Sequence, residues 1–130
     1  IGNFDYDKLI PSFIFKVDQV LINIHPENLS FIAEDNMERI FSILSKFSLK
    51  VNLMQNTAVS FKICVNNDAT RIPSVLDELG KLYEISTEYN LELITIRYYD
   101  QKTINRVLVD KEVLLEQHSN KTVQMVVRKI

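Results

Sequence analysis

The segment from residue 36 to residue 65 carries two consecutive apolar repeats that constrain the fold of the whole chain. In its first part the apolar residues recur at the three-and-four spacing of an amphipathic helix, namely Met37, Ile40, Phe41, Leu44 and Phe47. In its last part Val59, Phe61, Ile63 and Val65 alternate with Ser60, Lys62 and Cys64, as in a half-buried strand. An extended run opens at Val51, and small or polar residues at 55–58 favour a tight reversal. The segment therefore predicts a helix followed by a hairpin.

The flanking patterns place this unit in a longer series of elements. Residues 20–89 predict the order strand, helix, strand, strand, helix, strand, which is the ferredoxin-like order with an antiparallel sheet and both helices on one face. Residues 91–127 predict a partial copy, in which Asp100 caps a short helix that ends near Leu108. The remaining strand, at 12–17, completes the sheet of that copy. We therefore predict an α+β chain of two ferredoxin-like domains, the first inserted in the second.

The predicted domain bounds follow from this series. The first domain spans residues 19–90, and the second, discontinuous and shortened, is formed by residues 12–18 and 91–130. Residues 1–11 show no clear period and end at Pro11, so they are interpreted as an incoming linker. The chain begins with Ile1 rather than Met, and we expect it to be a piece of a longer protein.

Composition excludes several classes of partner. The chain has 130 residues, a formal net charge of −2 and scattered Lys and Arg, which does not fit a nucleic-acid-binding surface. No apolar run reaches the ~18 residues of a membrane span, so we expect neither a nucleic-acid nor a membrane partner and a cytoplasmic location. Since Cys64 is the only cysteine, no internal disulfide can form.

Residues with the chemistry for catalysis or metal binding are sparse. His25 and His118 stand far apart without acidic or sulfur neighbours at ligand spacing, so no metal site is predicted. Cys64 lies within a predicted strand and is interpreted as a small, inert core residue. No catalytic residue and no cofactor are predicted for this chain.

Several segments resemble a known family. FSILSKFSLKVNLMQNTAVSFKICV is similar to the first regulatory ACT domain of aspartokinases, in which a helix precedes a Val-Asp-Leu-type strand, a Thr/Ser-rich turn and a Val-Ser-containing strand. SFIFKVDQVLINIHPENLS, YEISTEYNLELITIRYYD and VLLEQHSNKTVQMVV resemble the strands that connect and close the paired ACT domains. The likeness is greatest to the lysine-sensitive, single-function aspartokinases.

The resemblance implies a regulatory region without catalytic machinery of its own. In such a protein an N-terminal kinase lobe, absent here, uses ATP and Mg to phosphorylate aspartate. The ACT domains form a homodimer and bind an end-product amino acid, lysine or threonine. Carried over by position, the effector contacts fall at the start of the first helix and along the following strand and turn: Ser30, Ala33, Asp35, Asn36, Met37, Val51, Asn52, Asn56, Thr57 and Ala58.

Some alternatives stay open at this point. The lysine-sensing pattern has an Asp where this chain has Asn52, a Glu where it has Ala58, and a Gly where it has Asp35. Threonine, another amino acid or a degenerate site therefore remain possible, and Asn36, Asn52 and Asn56 also suit plain cap and turn positions. A stand-alone ACT sensor or dimerisation scaffold is the alternative function, and a nucleic-acid module on a similar sheet is a third.

Overall fold

The computed structural model describes residues 10–25, 34–57 and 59–130, which form six strands and three helices. The strands are β1 (Ser12–His25), β2 (Val51–Asn56), β3 (Phe61–Asn66), β4 (Glu84–Arg97), β5 (Lys111–Ser119) and β6 (Thr122–Lys129). The helices are α1 (Glu34–Lys46), α2 (Arg71–Gly80) and α3 (Gln101–Val107). The chain folds into two compact units. We call Asp18–Tyr89 the inserted unit, and residues 10–17 with Asn90–Ile130 the outer unit.

The inserted unit has the predicted ferredoxin-like order. Its strands lie in the order β2-β3-β1-β4. Strand β3 is antiparallel to both of its neighbours, with Phe61 paired to Ile24 on β1 and to Asn56 on β2. Because β2 stands at the end of this order, it is the edge strand of the unit.

The core of the inserted unit lies between its sheet and its two helices. Even-numbered residues of β1 and odd-numbered residues of β3 face the helices, as the period of two requires. The buried members of this core are Val20, Ile22, Ile24, Ile40, Ile43, Leu44, Leu49, Phe61, Ile63, Val65, Ile72, Val75, Leu79 and Tyr83. Of the predicted apolar face of α1, Ile40 and Leu44 are buried in this core and Met37 and Phe47 pack against it, whereas Phe41 is exposed.

The outer unit repeats the order with less helix. Its strands lie in the order β1-β4-β6-β5, and β6 is antiparallel to both β4 and β5. Helix α3 has seven residues, and the Asp100 carboxylate accepts hydrogen bonds from the Thr103 backbone N–H and hydroxyl, both at 2.7 Å. The buried cluster that includes Ile104 of α3 consists of Ile94, Ile96, Ile104, Val123, Met125 and Val127. The predicted fold, two ferredoxin-like ACT domains with one inserted in the other, is confirmed.

Three details of the predicted strands are wrong. The separate strands predicted before and after Asp18 form one strand, and so do those on either side of Asn90. In both places the interruption is a single residue with positive φ, 53° at Asp18 and 61° at Asn90, which Asp and Asn tolerate better than most residues. The apolar pattern also predicts that the strand starting at Leu91 continues to Tyr99, but it ends at Arg97, because Tyr98 has a positive φ of 56°.

Two further findings concern expectations made from sequence. Most of the predicted linker at 1–11 lies outside the described residues. Within the part of the chain that the structure describes, no helix is both long enough and apolar enough to span a membrane.

Candidate functional site

The ten predicted effector residues belong to the inserted unit, and the structure describes the side chains of six of them. Ser30, Ala33 and Ala58 lie outside the described residues. Asp35 lies within α1, and its side chain is also outside the description. The remaining six occupy the start of α1 and the length of β2: Asn36, Met37, Val51, Asn52, Asn56 and Thr57.

A hydrogen bond joins the start of α1 to the segment between α2 and β4. The Tyr83 hydroxyl donates a 2.9 Å hydrogen bond to Asn36 Oδ1, and the Tyr83 ring is buried in the core. Met37, on the next position, packs against the same core. The first turn of a helix leaves backbone N–H groups without helical partners, and these can bind an anionic group. Asn36 is therefore a fixed residue at an end of the helix that suits a carboxylate.

Thr57 organises the turn between β2 and β3. Its backbone N–H donates to the Ser60 carbonyl at 2.9 Å, and its hydroxyl oxygen accepts from the Ser60 N–H at 3.0 Å. The two hydroxyls of Thr57 and Ser60 lie 3.0 Å apart. Asn56 precedes this turn, is exposed, and makes no side-chain hydrogen bond to any residue in the described ranges. Asn56 therefore presents an amide to solvent, whereas the Thr57 hydroxyl already has partners.

Asn52 occupies a β-bulge. Val51 pairs with Val65 and Leu53 pairs with Cys64, so β2 advances two residues where β3 advances one, and Asn52 is the extra residue. Val51 consequently faces the core, while Leu53 faces the other side of the sheet beside the buried Cys64. The bulge turns Asn52 toward the polar residues at the far end of β1 and β3.

A network of amides surrounds Asn52. Its Nδ2 donates to Gln19 Oε1 and to Asn66 Oδ1, each at 2.8 Å, and Gln19 Nε2 donates to the same Asn66 oxygen at 2.8 Å. Gln19 is 1% exposed, and the Cys64 thiol lies 3.3 Å from its Oε1. A buried amide costs free energy unless it is hydrogen-bonded, so the network is a structural requirement of this end of the sheet.

The predicted residues therefore form two groups rather than one pocket. Asn36, Met37, Asn56 and Thr57 belong to the end of the unit where β2 turns into β3. Asn52 contacts Gln19 and Asn66, which pair with each other at the opposite end of β1 and β3. Asn56 lies four positions along the strand from Asn52, which is about 14 Å at about 3.4 Å per residue. Within one chain, the Asn52 amide is therefore held in the Gln19 network at one end of β2, whereas the Asn56 amide is exposed at the other end.

The described site residues carry no formal charge. Asn36, Asn52, Asn56 and Thr57 offer amide and hydroxyl groups only. No group of three or more His, Cys, Asp or Glu side chains that could hold a metal ion occurs among the residues with a described position. The arrangement supports hydrogen bonding to a polar ligand and supplies no described group for acid-base chemistry.

Sequence reasoning missed three residues of this region: Gln19, Asn66 and Tyr83. Gln19 is the polar residue that directly precedes the apolar run VLINI, and Asn66 begins a turn. In the sequence, Gln19 and Asn66 are therefore each accounted for by their position at the edge of a strand or turn. Asn66 and Gln19 lie 14 and 33 positions from Asn52 in the sequence, so no local pattern reveals that they contact it.

Comparison with known proteins shows a similarity of fold. No protein-family model and no curated protein matches the sequence. A solved candidate C-terminal regulatory domain of aspartate kinase from Porphyromonas gingivalis W83 has a similar structure, with a TM-score of 0.75 and 17% identity over 91% of this chain and 86% of that one.

Two longer aspartate kinase chains are similar over the same region. E. coli aspartokinase III in complex with lysine and aspartate gives a TM-score of 0.70 at 19% identity, and Clostridium acetobutylicum aspartate kinase gives 0.73 at 15%. The matches cover 91% and 89% of this chain but only 29% and 30% of those chains. The described chain has the paired ACT-domain fold that occurs in the regulatory part of aspartate kinases.

Proposed function

We propose that this chain is the regulatory region of an aspartokinase and binds an end-product amino acid. The observation that carries the proposal is the fold match to a candidate aspartate kinase regulatory domain over 91% of this chain and 86% of the other. The sequence resemblance to paired ACT domains supports it separately, since it rests on quoted segments rather than on coordinates. Fold alone does not define function, so the site and its ligand need a direct test.

The proposed parent enzyme places catalysis elsewhere. A kinase lobe outside this chain would use ATP and Mg to phosphorylate aspartate in the cytoplasm, and this chain would change that activity when an effector binds. The chain spans less than a third of the two longer aspartate kinase chains that it matches. One of these neighbours is a complex with lysine and aspartate, which supports lysine as a first effector to test and threonine as the second.

The proposed effector site uses the two groups of residues in different roles. The carboxylate of the amino acid lies at the N-terminal turn of α1 near Asn36 and Met37, where free backbone N–H groups and the helix dipole favour an anion. Amide oxygens of asparagine accept from the ammonium group of the ligand. Asn56 has an unoccupied amide at the same end of the unit, so it supplies this contact within one chain.

A homodimer supplies the other contact. Strand β2 is the edge of the inserted unit, and its Met54 is 46% exposed. If two copies of β2 pair antiparallel about a twofold axis, the beginning of one strand lies beside the end of the other. Asn52 of the partner subunit then lies near Asn56, although the two residues are about 14 Å apart within one chain. Dimerisation through β2 therefore completes the proposed site and also covers the strand edge.

A thermal-shift screen of lysine, threonine, methionine and other amino acids tests the proposal. An effector at ~100 times its Kd stabilises the folded dimer by about 2.7 kcal/mol and visibly raises Tm. We expect lysine or threonine to raise Tm, with lysine slightly ahead. We expect Asn52→Ala and Asn56→Ala each to abolish the shift. Asn105→Ala, an exposed position on α3 in the outer unit, is the matched control and is expected to keep it.

The two site variants separate binding from folding. Asn52→Ala removes two hydrogen bonds of the Gln19 network and lowers stability by about 1 kcal/mol per bond. Asn56 has no side-chain hydrogen bond in the described part of the chain, so Asn56→Ala leaves Tm unchanged without ligand. If no amino acid shifts the wild-type Tm, or if Asn56→Ala retains the full shift, the proposed site is wrong.

A further inference from the structure

The outer unit has two adjacent hollows between the end of β4 and the turn from β5 to β6. Tyr98, Asn120 and Lys121 border both of them. The first hollow, of about 410 Å³, is completed by Tyr99 and Asp100. The second, of about 340 Å³, is completed by Arg97, Ser119 and Thr122. Both volumes fall in the range of small-molecule sites, about 300–1,000 Å³.

The charged side chains that line the second hollow are all basic. It is lined by two cations, Arg97 and Lys121, by two hydroxyl side chains, Ser119 and Thr122, and by no acidic side chain. In the described ranges, neither cation forms an ion pair, and Arg97 instead lies 5.9 Å from the centre of the Tyr98 ring. Two cationic side chains and two hydroxyl side chains therefore line one small space.

Two other cations of the same unit are already paired. Lys111 Nζ lies 3.3 Å from Glu92 Oε1, and Arg128 donates to Glu112 Oε1 at 2.7 Å. The nearest carboxylate to the hollow along the chain is Asp100, in the neighbouring hollow, and its Oδ1 accepts from the Thr103 N–H and hydroxyl. The charges of Arg97 and Lys121 are thus left available for a ligand.

The backbone holds the two sides of the hollow together. The Tyr98 N–H donates to the Lys121 carbonyl at 2.6 Å, which joins the end of β4 to the β5–β6 turn. Tyr98 and Asn120 have positive φ values of 56° and 49°. Left-handed backbone is unusual for an aromatic residue, so the surrounding structure must fix Tyr98 in this conformation. The cations are consequently placed by a defined turn pair rather than by two independent loops.

We infer that this second hollow binds the oxyanion group of a small molecule, either a carboxylate or a phosphate. The Arg97 guanidinium can donate two parallel hydrogen bonds to such a group, and Lys121 adds a compact positive charge. Ser119 and Thr122 can donate to the remaining oxygens. The site lies in the outer unit, does not use any of the proposed effector residues and does not depend on the proposed regulatory function.

Titration of the whole chain with inorganic phosphate and, separately, with acetate tests the site by ¹H–¹⁵N NMR at constant ionic strength. We expect saturable shifts of the Tyr98, Asn120 and Lys121 amides with at least one of the two anions. A saturable response to phosphate alone identifies a phosphate ligand, and a response to acetate alone identifies a carboxylate. Arg97→Gln and Lys121→Gln are each expected to weaken the binding about tenfold or more.

Lys129→Gln is the matched control, because Lys129 is an exposed lysine at the other end of β6 from Thr122. It is expected to bind the anion as the wild type does. The NMR spectra also show directly whether each variant is folded. Shifts that rise linearly without saturation, or that are equal in the wild type, Arg97→Gln and Lys121→Gln, would overturn the assignment.

Discussion

The inserted and outer units share one strand order but differ in how much apolar surface they bury. In the described residues, the cluster of buried side chains between sheet and helices has fourteen members in the inserted unit, beneath helices of 13 and 10 residues. The corresponding cluster of the outer unit has six members, beneath one helix of seven residues. Since burial of apolar side chains is the main source of stability, equal topology does not imply equal stability. The two units bury different numbers of core residues because different lengths of helix cover their sheets.

The largest expected effect is the loss of stability when a buried isoleucine on a helix of each unit is replaced by alanine. Ile40 on α1 is 0% exposed and Ile104 on α3 is 6% exposed. Removing core methylenes costs about 2–5 kcal/mol, and the cost is greatest where the surroundings cannot collapse into the cavity. We expect Ile40→Ala to cost about 3–5 kcal/mol and Ile104→Ala about 2–3 kcal/mol, because the seven-residue α3 can move inward. Urea unfolding followed by circular dichroism measures both.

The two isoleucine variants also test whether the number of buried residues predicts the stability of each unit. If Ile104→Ala costs as much as Ile40→Ala or more, the outer unit is as tightly packed as the inserted one, and the number of buried residues is a poor guide to its stability. Phe41→Ala is a useful control, since Phe41 is 36% exposed and its ring makes an edge-to-face contact with Phe61, with the ring centres 5.8 Å apart. Its effect is expected to be smaller than that of Ile40→Ala.

A smaller effect concerns the start of the short helix in the outer unit. Hydrogen bonds from Thr103 lower the pKa of Asp100 below its ordinary value of 3.8, so the charged form stabilises the fold. This stabilisation is fully present above the ordinary pKa and is lost as pH falls through the lowered one. We expect Asp100→Ala to lower Tm at pH 7 by about 2–5 °C, and the difference from wild type to shrink below about pH 4.

Asp100→Asn is the control for charge. An asparagine still accepts the Thr103 hydrogen bonds but does not titrate, so its Tm relative to Asp100→Ala is expected to be independent of pH. The same experiment on Asp68, which accepts from the Thr70 and Arg71 backbone N–H groups at the start of α2, provides the counterpart in the inserted unit. An Asp100→Ala difference that grows as the solution is acidified would contradict the assigned role.

The smallest expected effect is a gain in the inserted unit. Gly80 is the last residue of α2, its φ is not positive, and a Cβ added there meets no atom within 4 Å. Alanine restricts the unfolded chain more than glycine does, so Gly80→Ala is expected to raise stability by about 0.4–1 kcal/mol. Chemical denaturation measures this gain. A loss of stability would show that the end of α2 needs the freedom of glycine.

The sequence predicted the order of the elements and most of the core because these follow from local repeats. The spacing of Met37, Ile40 and Leu44 defines the buried face of α1, and the alternation of Phe61, Ile63 and Val65 defines the buried face of β3. The Asp100 cap was also predictable, since the capping interaction spans only three residues. Each of these features depends on neighbours in the sequence.

The candidate site was less predictable because its geometry depends on contacts between distant residues. The segment Val51, Asn52, Leu53 has the alternation of a regular strand, in which the two apolar residues would share a face. The bulge places them on opposite faces and directs Asn52 toward Gln19 and Asn66. Only the pairing with β3 reveals this shift.

The most direct test of the central claim, a regulatory amino-acid site shared between two copies, is a mixing experiment with Asn52→Ala and Asn56→Ala. Each variant homodimer lacks one contact in both of its sites. In a heterodimer, one site has both substitutions and the other has neither, so equal mixing with random exchange restores about a quarter of the wild-type sites. Calorimetric titration with lysine, or with threonine if that gives the thermal shift, measures the number of sites. We predict no binding to either variant alone and about a quarter of the wild-type capacity after mixing; no recovery after confirmed subunit exchange would contradict the shared site.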